Sequence, residues 1–348
     1  MKKSNRVLFA AAITTVLFLG AYSIRAAQSQ TVKVAADATS LKVVANANAF
    51  LETLSAAQRS KTVFAFTDAT QKTKWSNLPT GIFGRNGVKI GELTSPQETA
   101  LFALLSSVLS SQGYQQIMQV IDGDEVLRLS TNGGNLIFGR AEYYVSFLGT
   151  PSATNPWILQ FGGHHMAINA TVAGAAITLT PSLTGGQPTK YTLNGVQVQP
   201  IIGEVNAAFA LLNALDTTQK SSAILGSQVI DVILGPGQDG KTLQPEGIKA
   251  SSLTQSQQQL LLDLIKTRVG ILNDDDTTAK MDEIKANLAN TYFAWSGATT
   301  AGGAAYFRVT APTLVLEFSP QSMGGDATNH THSMYRDPTN DYGVNLYK

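Results

Sequence analysis

The chain has 348 residues, of which 43% are hydrophobic and only 14% charged, with a net charge of +1. That supports one large core or two ordinary ones, and so even a balance argues against nucleic-acid binding, which calls for a basic excess or stripe. There is no cysteine, which excludes disulfides, lipoprotein modification, thiolate catalysis and Cys-ligated zinc or iron–sulfur centres.

The N-terminus reads as an export signal over residues 1–31. Lys2, Lys3 and Arg6 form a positive region, and Val7 to Ile24 is uncharged and mostly apolar. Ala26 and Ala27 offer a cleavage site beside Arg25. No second positive flank stops transfer, which favours cleavage over an uncleaved anchor. The expected location is periplasmic or secreted, with membrane contact only through this segment if it is retained.

Residues 32–45 read as an exposed linker, after which one pattern runs twice. LSAAQRSK (Leu54 to Lys61) corresponds to LDTTQKSS (Leu215 to Ser222), and GVKIGELTSPQ (Gly87 to Gln97) to GIKASSLTQSQ (Gly247 to Gln257). Gln58 and Gln219 stand 161 positions apart, Gln97 and Gln257 160. Two matches at nearly one offset point to an internal duplication, with halves at 46–200 and 201–348 in one compact domain. In each half a Thr-x-x-Gln capping box opens a helix. Leu101, Leu104, Leu105 and Val108 then form an apolar stripe in the first half, and Leu260, Leu261, Leu264 and Ile265 in the second. These helices are core elements without chemistry.

Strand-like runs follow the helices. The first half has Tyr143 to Leu148, Trp157 to Phe161, Ile168 to Val172, Ala176 to Leu179 and Tyr191 to Val198, broken by turns at Ala173-Gly174 and Gly185-Gly186. The second has Tyr292 to Trp295, Tyr306 to Thr310 and Thr313 to Phe318. Helices and strands in separate blocks predict an α+β fold of two pseudo-symmetric halves, each with helices followed by mainly antiparallel strands. No dinucleotide fingerprint, phosphate loop or G-x-S-x-G elbow is present, which disfavours nucleotide cofactors and gives a serine nucleophile little support.

All four histidines fall in two tight pairs, His164-His165 and His330-Thr331-His332. The i, i+2 spacing of the second pair puts both rings on one face of an extended strand, within reach of one ion. Adjacent residues on a regular strand face opposite ways, so at most one of His164 and His165 can join them unless the backbone bulges at Gly162-Gly163. His165 shares the more polar face with Asn169. The expected set is therefore His165, His330 and His332, with His164 supporting it or serving as a fourth ligand. All-nitrogen donors suit zinc or copper. Alternatively the rings are structural, bonded to backbone carbonyls.

Charges crowd the second pair. Glu317 is the only charge in TLVLEFSP, and Tyr335, Arg336, Asp337, Asp341 and Tyr342 follow His332. Glu317 must be paired, orient a histidine or act as a base. Arg336 can fork onto a carboxylate, whereas Asp337 before Pro338 also suits a turn. Glu317, Arg336, Asp337, Asp341 and Tyr342 are the candidate catalytic residues. Asp274-Asp275-Asp276 lacks the glycine and glutamate of a calcium loop and reads as a solvated turn.

YYVSFLGTPS, NPWILQFGGHHMAIN, the LTSPQ-type helix starts and HTHSMYRDPTNDYG together resemble the DUF3500 family over residues 46 to 345. His164, His165 and Asn169 match its first motif; His330, His332, Arg336, Asp337, Asp341 and Tyr342 match its second. The chain departs at Gly162-Gly163, where a bulkier residue is frequent before Gly-His-His. The resemblance implies an export signal but brings no established activity. Two functional classes follow from the residues. One is a metal site for hydrolysis or copper-type redox chemistry. The other is a non-catalytic envelope protein taking a small ligand or partner in a cleft lined by Trp157, Tyr144, Tyr335 and Tyr342.

Overall fold

A computed structural model describes residues 34–131, 134–322 and 325–348; the expected export signal lies outside the described residues. The first block runs α1 (Ala38–Thr53), α2 (Ala56–Thr62), β1 (Val63–Phe64), α3 (Ala69–Lys72), β2 (Val88–Lys89), α4 (Ser95–Val108) and α5 (Ser111–Ser130). Strands β3 (Tyr144–Leu148), β4 (Trp157–Gly163), β5 (Met166–Ala173), β6 (Ala176–Thr178) and β7 (Ser182–Gly186) follow, then a small hairpin of β8 (Tyr191–Leu193) and β9 (Val196–Val198). The second block runs α6 (Ile202–Ala214), α7 (Thr217–Ala223), β10 (Ile224–Gly226), β11 (Ile248–Lys249), α8 (Gln255–Val269) and α9 (Asp274–Ala286). It ends with β12 (Tyr292–Gly297), β13 (Ala305–Ala311), β14 (Leu314–Pro320), β15 (Thr331–Arg336) and α10 (Val344–Tyr347). Helices and strands are mixed in the α+β manner expected. No helix among the described residues is long and apolar enough to cross a membrane.

The recurring glutamines have a structural use. Gln97 closes the capping box of α4 and donates to Thr53 O at 2.8 Å at the end of α1, and its amide bonds that of Gln58. Gln257 does the same for α8, bonding Ala214 O at 2.8 Å and the amide of Gln219. Each glutamine satisfies helix-end groups that would otherwise lack partners.

Some expectations change. Helix α1 begins at Ala38, inside the stretch expected as a linker, because Asp37 caps it and Val43 and Ala47 are buried in the first core. The acidic trio at 274–276 is the first turn of α9, capped by Asn273, where negative charge complements the helix dipole. The run from Tyr191 to Val198 splits at Asn194-Gly195, both at positive φ as a tight hairpin turn requires. Gly185-Gly186 is not a turn but the end of strand β7.

The main sheet runs β1-β3-β4-β5-β7-β15-β14-β13-β12-β10, with β2, β6 and β11 paired at its flanks. Only β1 with β3 and β10 with β12 pair in parallel; the other neighbours are antiparallel. Strand β7 pairs with β15 at the centre, Gly185 opposite His332 and Leu183 opposite Met334. One face of the sheet packs under the helices in two apolar clusters. Phe147, Trp157, Phe161 and Ile168 meet α1, α4 and α5; Trp295, Phe307, Leu316 and Tyr335 meet α6, α8 and α9.

The opposite face is crossed by two irregular straps, residues 73–87 and 227–247. Trp75, on the first, packs against Ala167, Leu183 and Met334. The second is tied down by the fully buried Glu317, which accepts from Ile233 N–H at 2.8 Å, Leu234 N–H at 2.7 Å and the Tyr306 hydroxyl at 2.8 Å. Arg336 adds bonds to the Leu234 and Gly235 carbonyls. Deleting the carboxylate leaves three donors without their acceptor, of which Leu234 N–H and the Tyr306 hydroxyl are buried and each worth ~1–3 kcal/mol when unpaired. Glu317→Ala should therefore lower unfolding free energy by about 3–5 kcal/mol and speed amide exchange at Ile233 and Leu234. Denaturant melts and hydrogen exchange read this out; unchanged protection of both amides would refute the anchoring role.

Candidate metal centre

The histidine doublet is a turn rather than part of a strand. Gly163 pairs with Met166, so His164 and His165 form the two-residue loop of the β4–β5 hairpin. His165 has φ 59°, which replaces the strand alternation expected for the pair. Gly162 belongs to the strand, where a Cβ would come within 2.4 Å of Met166 O.

This turn sends the two rings to different partners. His164 Nδ1 lies 2.7 Å from Asp124 Oδ1 on α5, and Asp124 Oδ2 accepts from Gly139 N–H at 2.8 Å. Its ring lies tilted against that of His165, 3.7 Å between centroids, and beside Phe138. His165 faces the other pair instead, its Nε2 2.9 Å from His330 Nε2.

The register explains the meeting. Met166 pairs with Thr184 on β7, and one step further along His165 comes level with Gly185, which pairs on its other side with His332. A glycine thus separates two histidines across three strands. A Cβ at Gly185 would lie 2.5 Å from Thr331 O and 3.2 and 3.3 Å from the Cδ2 atoms of His165 and His332. Without it, the two rings converge over the sheet to 5.3 Å between centroids. His330 precedes β15 in extended conformation, which carries its ring to 5.0 Å from that of His332. One ring nitrogen from each of His165, His330 and His332 lies within 4.8 Å of the others.

All four rings are buried, between 2% and 8% exposed. Burial, reinforced by the neighbouring histidines, holds His165 well below the usual histidine range, so its ring is neutral near pH 7. At 2.9 Å from His330 Nε2, the His165 nitrogen either shares a proton with it, one ring donating to the other, or faces a cation together with it.

The straps supply oxygen and nitrogen groups around this set. Asn77 Nδ2 sits 3.1 Å from His332 Nε2, and Asn77 O accepts from His165 N–H at 3.1 Å. Asp231 Oδ1 lies 3.9 Å from His332 Nδ1, and the proximity of that ring draws the carboxyl below its ordinary range. Sequence reasoning missed Asn77, Asp231, Asp124 and Gly185. Only Asp124 carried a signal, a charge on the buried stripe of α5 with Ile117, Val120 and Ile121.

The candidate catalytic residues have partners of their own. Glu317 holds the second strap, as above. Arg336 bonds Asp341 at 2.8 Å and Asp239 at 3.2 Å, and Tyr342 donates to Asp239 at 2.6 Å while accepting from Trp75 Nε1 at 2.8 Å. Burial raises the Asp341 carboxyl and Arg336 opposes that shift. Asp337 accepts from Lys280 at 2.6 Å and from Thr339 and Asn340 N–H, the turn expected before Pro338. These bonds tie the residues to the straps and α9 rather than to the three histidines. The four aromatic residues expected to line one cleft are divided as well. Trp157, Tyr335 and Tyr342 lie in three separate apolar clusters, and Tyr144 is half-buried beside Glu142.

No curated protein and no solved structure matches the chain. The family model described as "Protein of unknown function (DUF3500)" matches residues 36–344. With nearly the whole chain covered, the two histidine motifs included, this protein belongs to the DUF3500 family.

Proposed function

We propose that this is an exported protein that binds one divalent transition metal, zinc or copper, through His165, His330 and His332. The observation that carries the reading is the convergence of three ring nitrogens within 4.8 Å, although the first and second come from segments 165 positions apart. The outer groups agree with it. Asp231 stands by the second nitrogen of His332, as a carboxylate orients a metal-bound histidine, and Asp124 fixes His164 against the ring of His165. A three-nitrogen ion can activate water for hydrolysis or, as copper, exchange electrons. The positive, then apolar N-terminus supports export to the periplasm or medium. The two glutamine-bridged helix pairs and the mirrored strand order support an internal duplication whose halves meet at β7 and β15.

A second reading, a non-catalytic ligand-binding protein, is favoured by a cavity of about 380 Å³ beyond β15, lined by Ile201, Val205, Phe318 and Thr331. Its volume suits a small molecule.

Protein purified without an affinity tag and reconstituted should hold one zinc or copper per chain by elemental analysis. A His330→Ala/His332→Ala double variant should hold none. At a metal concentration of a hundred times Kd the wild type should gain about 2.7 kcal/mol of stability that the variant lacks. Equal metal content in the two proteins would overturn the metal reading.

The metal-free protein should respond to acid in a defined direction. The folded state resists protonating His165, whereas the unfolded chain takes up that proton near pH 6.5. Between those two values the unfolded state binds more protons, so stability is intact above pH 6.5 and falls as pH drops below it. The slope should approach about 1.4 kcal/mol per pH unit for this group. Unfolding midpoints of wild type and His165→Asn between pH 8 and pH 5 check it; parallel slopes would count against a neutral His165.

A further inference from the structure

We propose that Asn77 is a ligand of this ion through its side-chain carbonyl oxygen, giving an N3O donor set for a divalent transition metal. The proposal rests on the three-histidine reading and goes beyond it, because the fourth donor comes from a strap that carries no histidine.

Three observations converge on Asn77. Its side-chain amide lies 3.1 Å from His332 Nε2. Donor atoms that each stand about 2.0–2.2 Å from one ion are roughly 2.8–3.6 Å apart, so this is a ligand-to-ligand separation. The nitrogen concerned is the inward one, since Asp231 faces Nδ1 of the same ring. Nε2 is thus the ring nitrogen that faces Asn77.

The amide can serve both states of the site. Without an ion, an amide N–H must face the Nε2 lone pair. With an ion between them, an oxygen must, and a half-turn of the amide exchanges Oδ1 for Nδ2 in nearly the same place.

Asn77 is also held in position before any ion arrives. The Arg85 guanidinium donates to Ser76 O at 2.7 Å and Leu78 O at 2.6 Å, the carbonyls on either side, and to Gly163 O at 2.9 Å on the histidine hairpin. Burial lowers Arg85 to about 10, so it stays protonated at neutral pH and the clamp stays closed. The backbone carbonyl of Asn77 itself receives the His165 N–H. One residue therefore places the main chain of one ligand and touches the inward nitrogen of another. Asp231 has the outward role: its side chain is 67% exposed, stands 3.9 Å from Nδ1 and accepts from Gln321.

Cobalt(II) titration followed by visible absorption, with zinc affinity from chelator competition, tests the assignment on the full chain. Asn77→Ala should weaken zinc by at least about tenfold and change the cobalt d–d bands, whereas Asn77→Asp should restore or tighten binding. Unchanged affinity and spectrum in Asn77→Ala, with binding still lost in His330→Ala/His332→Ala, would overturn Asn77 alone. Failure of the wild type to bind any metal would overturn the histidine site with it. If Asn77→Ala lowers the unfolding midpoint of the metal-free protein, Asn77→Asp decides: a carboxylate-shifted cobalt spectrum supports the ligand, and a wild-type spectrum rejects it.

Discussion

The pairing of β7 with β15 is the constraint on which the rest of the molecule depends. It joins the strands that follow α1–α5 to those that follow α6–α9, and its register puts Gly185 level with His332. Moving either strand by one residue would turn every side chain to the other face. His332 would then enter the helix side, and Ser333 would take its place. The register is held from the helix side by polar ties. Ser333 donates to Glu204 at 2.7 Å, and the Arg268 guanidinium bonds Thr184, the residue opposite Ser333. Both charged groups are buried, and burial pushes the Glu204 carboxyl up and the Arg268 guanidinium down. A register that separated these buried charges from Ser333 and Thr184 would leave them without those partners, which is costly for a buried charge.

On the other face the straps depend on the same seam. Arg336 and Glu317 lie on β15 and β14, and both grip the 230–235 segment by its backbone. That grip places Asp231 beside His332. The Arg85 clamp places Asn77 on the opposite side of the same ring. Position is thus set by charged side chains bonded to main-chain groups, and such bonds are stronger than neutral hydrogen bonds.

These dependencies explain what could be read from the sequence. Four histidines in two pairs were legible because the residue is so rare here, and an i, i+2 pair on an extended strand has one geometry. The glutamines were legible because a capping box is a local device. Strand β7 was not legible: Gly185-Gly186 carries turn chemistry, and only its neighbours, the His165 and His332 rings, show why a side chain is barred there. Helix α1 was placed too late because its start is capped by Asp37 but rich in small and polar residues. Glu317, Arg336 and Asp341 were legible as charges that need partners. Their partners on the 233–239 segment were not, since an irregular strap about a hundred positions away carries no periodicity to announce it.

The doublet shows how a local rule and a tertiary demand were resolved. A two-residue turn with positive φ at its second position is ordinarily given to glycine or asparagine, and another residue there costs about 1 kcal/mol. Histidine occupies it at His165. On a regular strand, His164 and His165 would face opposite sides of the sheet and could not cooperate. As a turn their rings pack 3.7 Å apart, one bonded to Asp124 on the helix side and the other to His330 on the strap side. The strained backbone is thereby compensated by a buried contact that a glycine could not make. It also makes the hairpin tip a place where the helix layer, the central seam and the first strap all touch the same pair of residues.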